Sequence, residues 1–258
     1  MHVATAITVV VTAILAASAS VITRHDVDEA KHIELAESMP DAAKIDLNLR
    51  GPKGATNGCG TLIHESWVLT AAHVSRQLKP GHGITIGDEK FEVARVIPHP
   101  KFNRRNPMHD IALVELTEPV EDVEPLALYA KDDEQGQLIT FVGTGDHGNG
   151  RSGPTGFDDK HRAATNRIVE ANELHLIMRF EAPGEDGVED LEGVPGPGDS
   201  GNAIMIKRGE EYVVAGVSFG ADHPDSKGPG RYGLLDYAVR VSTMLDWIRE
   251  ATGEAFEG

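Results

Sequence analysis

Cysteine is nearly absent from this chain. Its 258 residues include one, Cys59, so no intramolecular disulfide can form and stability must come from a packed core. Basic residues are scarce: 24 Lys and Arg stand against 41 Asp and Glu, a net charge of −17. That balance makes nucleic acid and anionic membrane surfaces poor partners. A long hydrophobic run is lacking too, since the apolar stretch Ile7-Thr-Val-Val-Val-Thr-Ala-Ile-Leu15 falls short of the roughly 20 residues a spanning helix needs. Also missing, despite 12 histidines, is the zinc-hydrolase pattern His-Glu-x-x-His: His64-Glu65 is followed by Ser66, Trp67 and Val68. No metal or other cofactor is expected.

What the N-terminus does contain is an uncharged segment from Val3 to Val21 whose apolar centre is followed by small residues. Residues 1–20 therefore read as a secretory signal peptide, cleaved after Ala19 or Ser20, and the mature protein as secreted or periplasmic. The n-region is only Met1-His2 and carries no Lys or Arg, so an uncleaved anchor is the alternative, and the one circumstance in which a membrane would be a partner.

Beyond it lie short segments rich in Val, Ile, Thr and Leu: 84–86, 91–97, 111–116, 138–142, 174–180, 203–206 and 212–219. Gly, Pro, Asn and Asp punctuate them, which predicts an all-β sandwich or barrel. Only the C-terminus reads as helix, with Ser242 or Thr243 as the cap, Met244, Leu245 and Ile248 on one face, and Gly253 as the stop.

The chemistry concentrates in Gly196-Pro-Gly-Asp-Ser-Gly201. Glycine permits positive φ and close backbone approach, so the amides of Gly198 and Ser200 can both face one oxyanion, with Ser200 as nucleophile. By itself the hexapeptide describes an ordinary loop equally well. A hydroxyl is a weak nucleophile at neutral pH and needs a base, which in turn needs a group to fix its tautomer. Trp67-Val-Leu-Thr-Ala-Ala-His73 and Asp110, at the mouth of an alternating strand, supply both, in the order His, Asp, Ser. An α/β-hydrolase would follow the order Ser, Asp, His and carry Gly-x-Ser-x-Gly, which fails here at Asn202. Gly143-Thr-Gly145-Asp-His-Gly148 fits a dinucleotide fingerprint, but the chain then runs Asn-Gly-Arg-Ser-Gly-Pro, unfit for the helix that would hold a pyrophosphate. A flexible surface loop is expected there.

With Cys59-Gly-Thr-Leu-Ile63, Trp67 to His73, Asp110-Ile-Ala-Leu, Phe141-Val-Gly-Thr-Gly145, Gly198-Asp-Ser-Gly201, Gly216-Val-Ser-Phe-Gly220 and Pro229-Gly-Arg-Tyr232 in order, the sequence resembles the trypsin-like (chymotrypsin-fold) serine proteases of the secreted bacterial type lacking disulfides. The resemblance runs from Val21 to the C-terminus. It implies an all-β fold of two packed six-stranded antiparallel β-barrels with a C-terminal α-helix. Residues 21–132 would hold His73 and Asp110, and residues 133–258 would hold Ser200. It implies a serine endopeptidase with protein or peptide substrates, the triad His73, Asp110 and Ser200, and an oxyanion hole from Gly198 and Ser200. Its primary pocket would comprise Val194, Pro197, Ser218, Phe219, Gly220 and Gly230. Val194 stands where trypsin has a pocket-base aspartate, so apolar P1 residues are expected over basic ones. Asp199 would pair with a newly exposed α-amino group, that of Val21 if cleavage follows Ser20, with Arg24 as the other candidate cation. The cysteine that follows the histidine in disulfide-bonded relatives is Val74 here, and Cys59, where the family has glycine, reads as a small buried residue. The alternative is a non-catalytic homologue acting as a secreted binding module. The acidic run Glu181 to Glu192 reads as a solvated loop, with a Ca²⁺ site or a lure for basic substrates as the functional readings.

Overall fold

Alternating β-branched segments bury one face of each strand, and an all-antiparallel sheet can bury those faces together only by curling on itself. This happens twice. The computed structural model describes residues 21–49, 58–103, 105, 108–225 and 227–256. The segment read as a signal peptide lies outside them.

In chain order the elements are β1 (Ile22–Thr23), α1 (Glu29–Glu37), β2 (Ile45–Asp46), β3 (Cys59–His64), β4 (Trp67–Thr70), α2 (Ala72–Ser75), β5 (Gly83–Ile86), β6 (Glu89–Pro98) and β7 (Ala112–Leu116). Then come β8 (Leu138–Gly143), β9 (Asp146–Asn149), β10 (Gly153–Phe157), β11 (Arg162–Ala171), β12 (His175–Arg179), β13 (Gly193–Val194), β14 (Ala203–Arg208), β15 (Glu211–Asp222), β16 (Leu235–Arg240) and α3 (Leu245–Thr252). One closed barrel has the order β2-β3-β4-β7-β6-β5, the other β11-β12-β16-β15-β14-β8. A small sheet, β10-β9-β1-β13, carries the N-terminal strand. The expected pair of six-stranded barrels with a C-terminal helix is the fold found.

Leu62, Leu69 and Leu113 fill the first barrel, each fully buried and each worth about 1.5–3 kcal/mol of transfer free energy. The same cluster continues through Val142, Ala203 and Val217 of the second barrel to Leu245 and Ile248 of α3, which holds the two barrels together. Gly58 lies against Val74, where an added Cβ would come within 2.4 Å of a Val74 methyl. Van der Waals contact thus occupies the position beside His73. Gly201 is as tightly placed: its φ is +93°, and a Cβ there would be 2.3 Å from both Cys59 O and Thr70 Oγ1. Gly201→Ala is expected to cost more than about 2 kcal/mol in a urea melt through strain and overpacking together. An unchanged midpoint would show that this junction yields freely.

Three local expectations are corrected. A second helix, α1, precedes the first barrel; Asp28 caps it by accepting from the Ala30 amide, and buried Arg162 on β11 bonds Glu29 of its first turn. Ser242 and Thr243 do not cap α3. They lie in a 3₁₀ turn, Ser242 Oγ donating to Glu134 and Thr243 Oγ1 to Arg240 O, whereas Gly253 does end the helix at φ +76°. The glycine-rich stretch after β8 is the β9–β10 hairpin, not a flexible loop, because β1 pairs along β9 from Ile22↔Gly148 to Thr23↔Asn149.

Candidate active site

Register brings the histidine to the aspartate. β4 and β7 pair with Thr70 opposite Ala112, so the residue three beyond Thr70 and the residue two before Ala112 meet at the barrel rim. Asp110 is 3% exposed and uses both oxygens on one residue: Oδ1 accepts the His73 amide at 2.8 Å, and Oδ2 lies 2.8 Å from His73 Nδ1. A carboxylate can only accept, so Nδ1 carries the proton and Nε2 keeps its lone pair for a substrate proton. Next to Asp110 in the chain, His109 stacks on His99 with centroids 4.7 Å apart, and His99 meets Trp247 edge-on at 4.8 Å. Burial pushes the His99 imidazole down to about 4, so it stays neutral at physiological pH. These two histidines escape sequence reading, because nothing local marks them as neighbours.

The turn that carries Ser200, on the second barrel, is tied by its backbone to the strands of the first barrel that lead to His73. The Cys59 amide donates to Ser200 O at 2.9 Å, the Gly201 amide to Ser218 O at 2.8 Å, and a Cβ on Gly201 would lie 3.1 Å from the Ala71 nitrogen, two residues before His73. Gly198 has φ +103°, open only to glycine. Among the described residues the amides of Gly198 and Ser200 donate to no protein group, so both are free for a ligand. No hydrogen bond joins Ser200 Oγ to His73 Nε2 in this structure; such contacts often tighten only when substrate is bound. Cys59 is buried, its thiol 3.8 Å from Gly198 O.

Asp199 is wholly buried. Its carboxylate accepts from the amides of Gly145 at 3.2 Å and Gly196 at 3.1 Å, and it packs so closely on Gly143 that a Cβ there would lie 2.0 Å from Oδ1. Gly143 and Gly145, the first two glycines that imitate a dinucleotide fingerprint, are thus the cradle of this side chain, while Gly148 packs on Gly153 in the hairpin. Burial pushes its carboxyl up to about 7, and among the described residues it forms no ion pair. Arg24 is engaged elsewhere, its guanidinium 2.7 Å from Asp26 and bonded to Glu189 O, so it does not serve Asp199. Val21 is fully buried, and the next residue, Ile22, pairs with Val194 and Gly148.

The residues expected to line the primary pocket divide. Ser218, Phe219 and Gly220 lie on β15 against β16, with Phe219 between the rings of His175 at 5.1 Å and Tyr237 at 6.4 Å, and Pro197 is half-buried in the nucleophile loop. Val194 instead packs with Ile22, Phe180 and Leu234, and Gly230 sits against Ile22 and Pro154. Sequence reading passes over Asp236 on β16, which is 2% exposed and whose Oδ2 has no partner among the described residues.

The acidic run is not simply solvated. Arg179 pairs with Glu181 and Glu185, Arg167 with Glu189, and Glu192 is fully buried, accepting from the Glu189 amide at 2.8 Å. Among the described residues no three His, Cys, Asp or Glu side chains form a metal site. Burial first, then the neighbouring Glu181, pushes the Glu192 carboxyl up to about 9. A carboxyl raised in the fold holds a proton that the unfolded chain releases, so stability is lost as pH climbs from the ordinary glutamate range toward 9. Glu192→Gln, which keeps an acceptor for the Glu189 amide, is expected to melt several degrees higher than the parent at pH 8 and to converge with it at pH 4. Equal melting at both would separate Glu192 from the pH response.

Two closed antiparallel barrels, a His–Asp pair at the rim of one and a glycine-bracketed serine on the other, define a chymotrypsin-like serine-protease fold. The chain belongs to the trypsin family: the family model described as Trypsin matches residues 40–248. It is 26% identical to Trypsin 5G1 of Aedes aegypti over 226 residues, 78% of this chain and 77% of that one. To Tryptase of Mus musculus it is 28% identical over 227 residues, 76% and 79% of the two chains. A solved structure titled HL collagenase matches with a TM-score of 0.62 at 19% identity, covering 82% of this chain and 94% of that chain, a likeness of fold.

Proposed function

We propose that the protein is a secreted serine endopeptidase acting on protein or peptide substrates. The observation that carries this reading is the two-point hold of Asp110 on His73, which leaves Nε2 basic at a cleft where Ser200 stands between Gly198 and Gly201. Nε2 takes the Ser200 proton as Oγ attacks the peptide carbonyl, and Asp110 stabilises the imidazolium that results. The amides of Gly198 and Ser200 receive the oxyanion, each such donor being worth a factor of about 10²–10³ in rate. The imidazolium then protonates the leaving amine, and water, activated by the same base, releases the acyl-enzyme.

Since Val194 brings no carboxylate to the position that the family resemblance gives the pocket base, the primary pocket would favour apolar P1 residues over basic ones. The activation partner of Asp199 is the α-amino group of Val21, set free by cleavage after Ser20. The second reading, a non-catalytic binding module, draws support from Asp199 having no cation among the described residues and from Ser200 lacking a bond to His73. A fluorophosphonate probe separates the two: labelling of the processed protein that vanishes in Ser200→Ala marks an enzyme, and folded, processed protein that takes up no label marks the binding module.

A further inference from the structure

Arg162, 2% exposed, is the largest side chain buried among the described residues, and the chemistry above gives it no task. A guanidinium taken out of water is costly unless carboxylates and further acceptors surround it. Two carboxylates from separate segments do so. Nε donates to Glu29 Oε1 at 2.7 Å, and Nη2 bonds the same oxygen. Nη1 and Nη2 donate to Asp158 Oδ1 at 2.8 Å and Oδ2 at 2.7 Å, a bidentate pair. Lys160 O, 3.4 Å from Nη1, adds a further acceptor. The guanidinium holds the Asp158 carboxyl well below the ordinary aspartate range.

Each segment so joined leads to the turn that carries Ser200. Glu29 opens α1, the helix that follows β1 in the chain, and His32 of the same helix meets Ala163 O at 2.9 Å. Asp158 comes directly after β10, so it roots the β9–β10 hairpin along which β1 pairs. The backbone of Arg162 stands on β11 opposite Gly143 of β8. Gly143 is the residue on which the Asp199 carboxylate rests, two positions before the Gly145 amide that donates to it at 3.2 Å. The guanidinium therefore closes a ring that runs from β1 through α1, Arg162 and Asp158 into the hairpin and back to β1. A strand of two residues is too short to be fixed by its own ladder alone.

We infer that Arg162 is a positioning residue for the oxyanion donors, fastening α1 to the root of the β9–β10 hairpin and so fixing Gly143, on which Asp199 and the Ser200 turn bear. The inference rests on the endopeptidase reading. Without the guanidinium, Glu29 and Asp158 are two like charges with no bridge, and the hairpin loses its fixed root. The wall behind Asp199 then shifts, and the amides of Gly198 and Ser200 shift with it. Those amides act on the charge that develops in the transition state, so the loss falls on kcat and spares KM. A small shift is enough, since a misplacement of about 1 Å can cost on the order of 10²-fold in rate.

The test uses the full chain processed to Val21, at a temperature well below melting, with Arg162→Met and the milder Asp158→Asn, which serves if the first does not fold. Arg95→Gln, which removes a surface pair with Glu115 on the first barrel, is the control. The expected result is a kcat at least about 10-fold lower in Arg162→Met and about threefold lower in Asp158→Asn, with KM within about twofold throughout and the control equal to the parent. Smaller losses, or losses carried by KM, overturn the inference and leave the bridge a matter of stability. Amide hydrogen exchange on the Ser200→Ala protein needs no turnover. Adding Arg162→Met or Asp158→Asn should quicken exchange at Gly145 and Gly196, whose amides hold Asp199, and leave Leu69 of β4 unchanged. Quickened exchange in a protein that takes up no fluorophosphonate sinks the endopeptidase reading alone and sustains the tether. Unchanged exchange at both glycines overturns the tether, whether or not the protein is an enzyme.

Discussion

Replacing Ser200 with alanine is expected to lower kcat by roughly 10⁶-fold, leaving the 10³–10⁴-fold advantage over water that positioning and oxyanion donors provide on their own. The reason lies in how the three side chains depend on one another. Asp110 spends both oxygens on His73, so without the serine hydroxyl the base has no proton to take, and without the base the hydroxyl remains a poor nucleophile. His73→Ala should therefore cost about as much as Ser200→Ala, and the double variant little more than either. Asp110→Asn should be milder, near 10⁴-fold, since the amide holds the ring in the wrong tautomer rather than removing it. Steady-state kinetics on the processed protein checks all four. Additive losses, or a Ser200→Ala protein within tenfold of the parent, would remove the triad from the account.

Nearly as large an effect is expected from the N-terminus. A chain beginning at Val21 should work on the order of 10² to 10³ times faster than the same chain with one extra residue in front, the ratio that follows from leaving a buried charge without its partner. Asp199 is wholly buried, sits directly before Ser200, and meets only amide donors. β1 is held on both sides, by β9 and β13, with Ile22 opposite Val194, so a free amine on the preceding residue starts from a fixed strand rather than a loose tail. Pairing would draw the Asp199 carboxyl down from about 7 and keep the amine charged. The ion pair, and the activity that depends on it, would be present at neutral pH. It would fade as alkali strips the amine and as acid protonates the carboxylate. Acetylating the Val21 amine should reproduce the effect of the extra residue. Equal rates for free and extended chains, or secreted protein starting elsewhere than Val21 or Ile22, would assign Asp199 a structural part only.

How much of this is readable from the sequence alone depends on whether a residue's partners are local. The seven apolar segments become strands because their own alternation specifies a buried face, and Gly253 ends α3 because left-handed backbone is a property of glycine itself. β11 is invisible by that criterion: it buries Ala163, Ala164 and Asn166, small or polar residues, and Asn166 is satisfied by bonding Arg179 O and Gly193 O, both far along the chain. α1 is short and rich in charge, and its anchors lie on β11, more than a hundred residues away: Arg162 bonds Glu29, and His32 Nδ1 meets Ala163 O. At the site, His73, Asp110 and Ser200 stand in runs whose composition announces them. The surroundings of Asp236 do not, for they come from the register of β15 on β16 and from Asp199 across the fold. Val194 shows the converse, since counting back from the serine places it at a pocket base while its side chain packs against the N-terminal strand.

The contact of Gly58 with Val74 has a consequence for where and how the protein can mature. A clamp made of a missing side chain and a methyl group has no reduction potential. Thiol buffers exert no pull on it, and no isomerase need sort its pairing. The steps of bond formation and reshuffling that take seconds to hours in cross-linked proteins are absent from its assembly. The geometry beside His73 is then complete as soon as the core condenses, in an oxidising or a reducing medium alike.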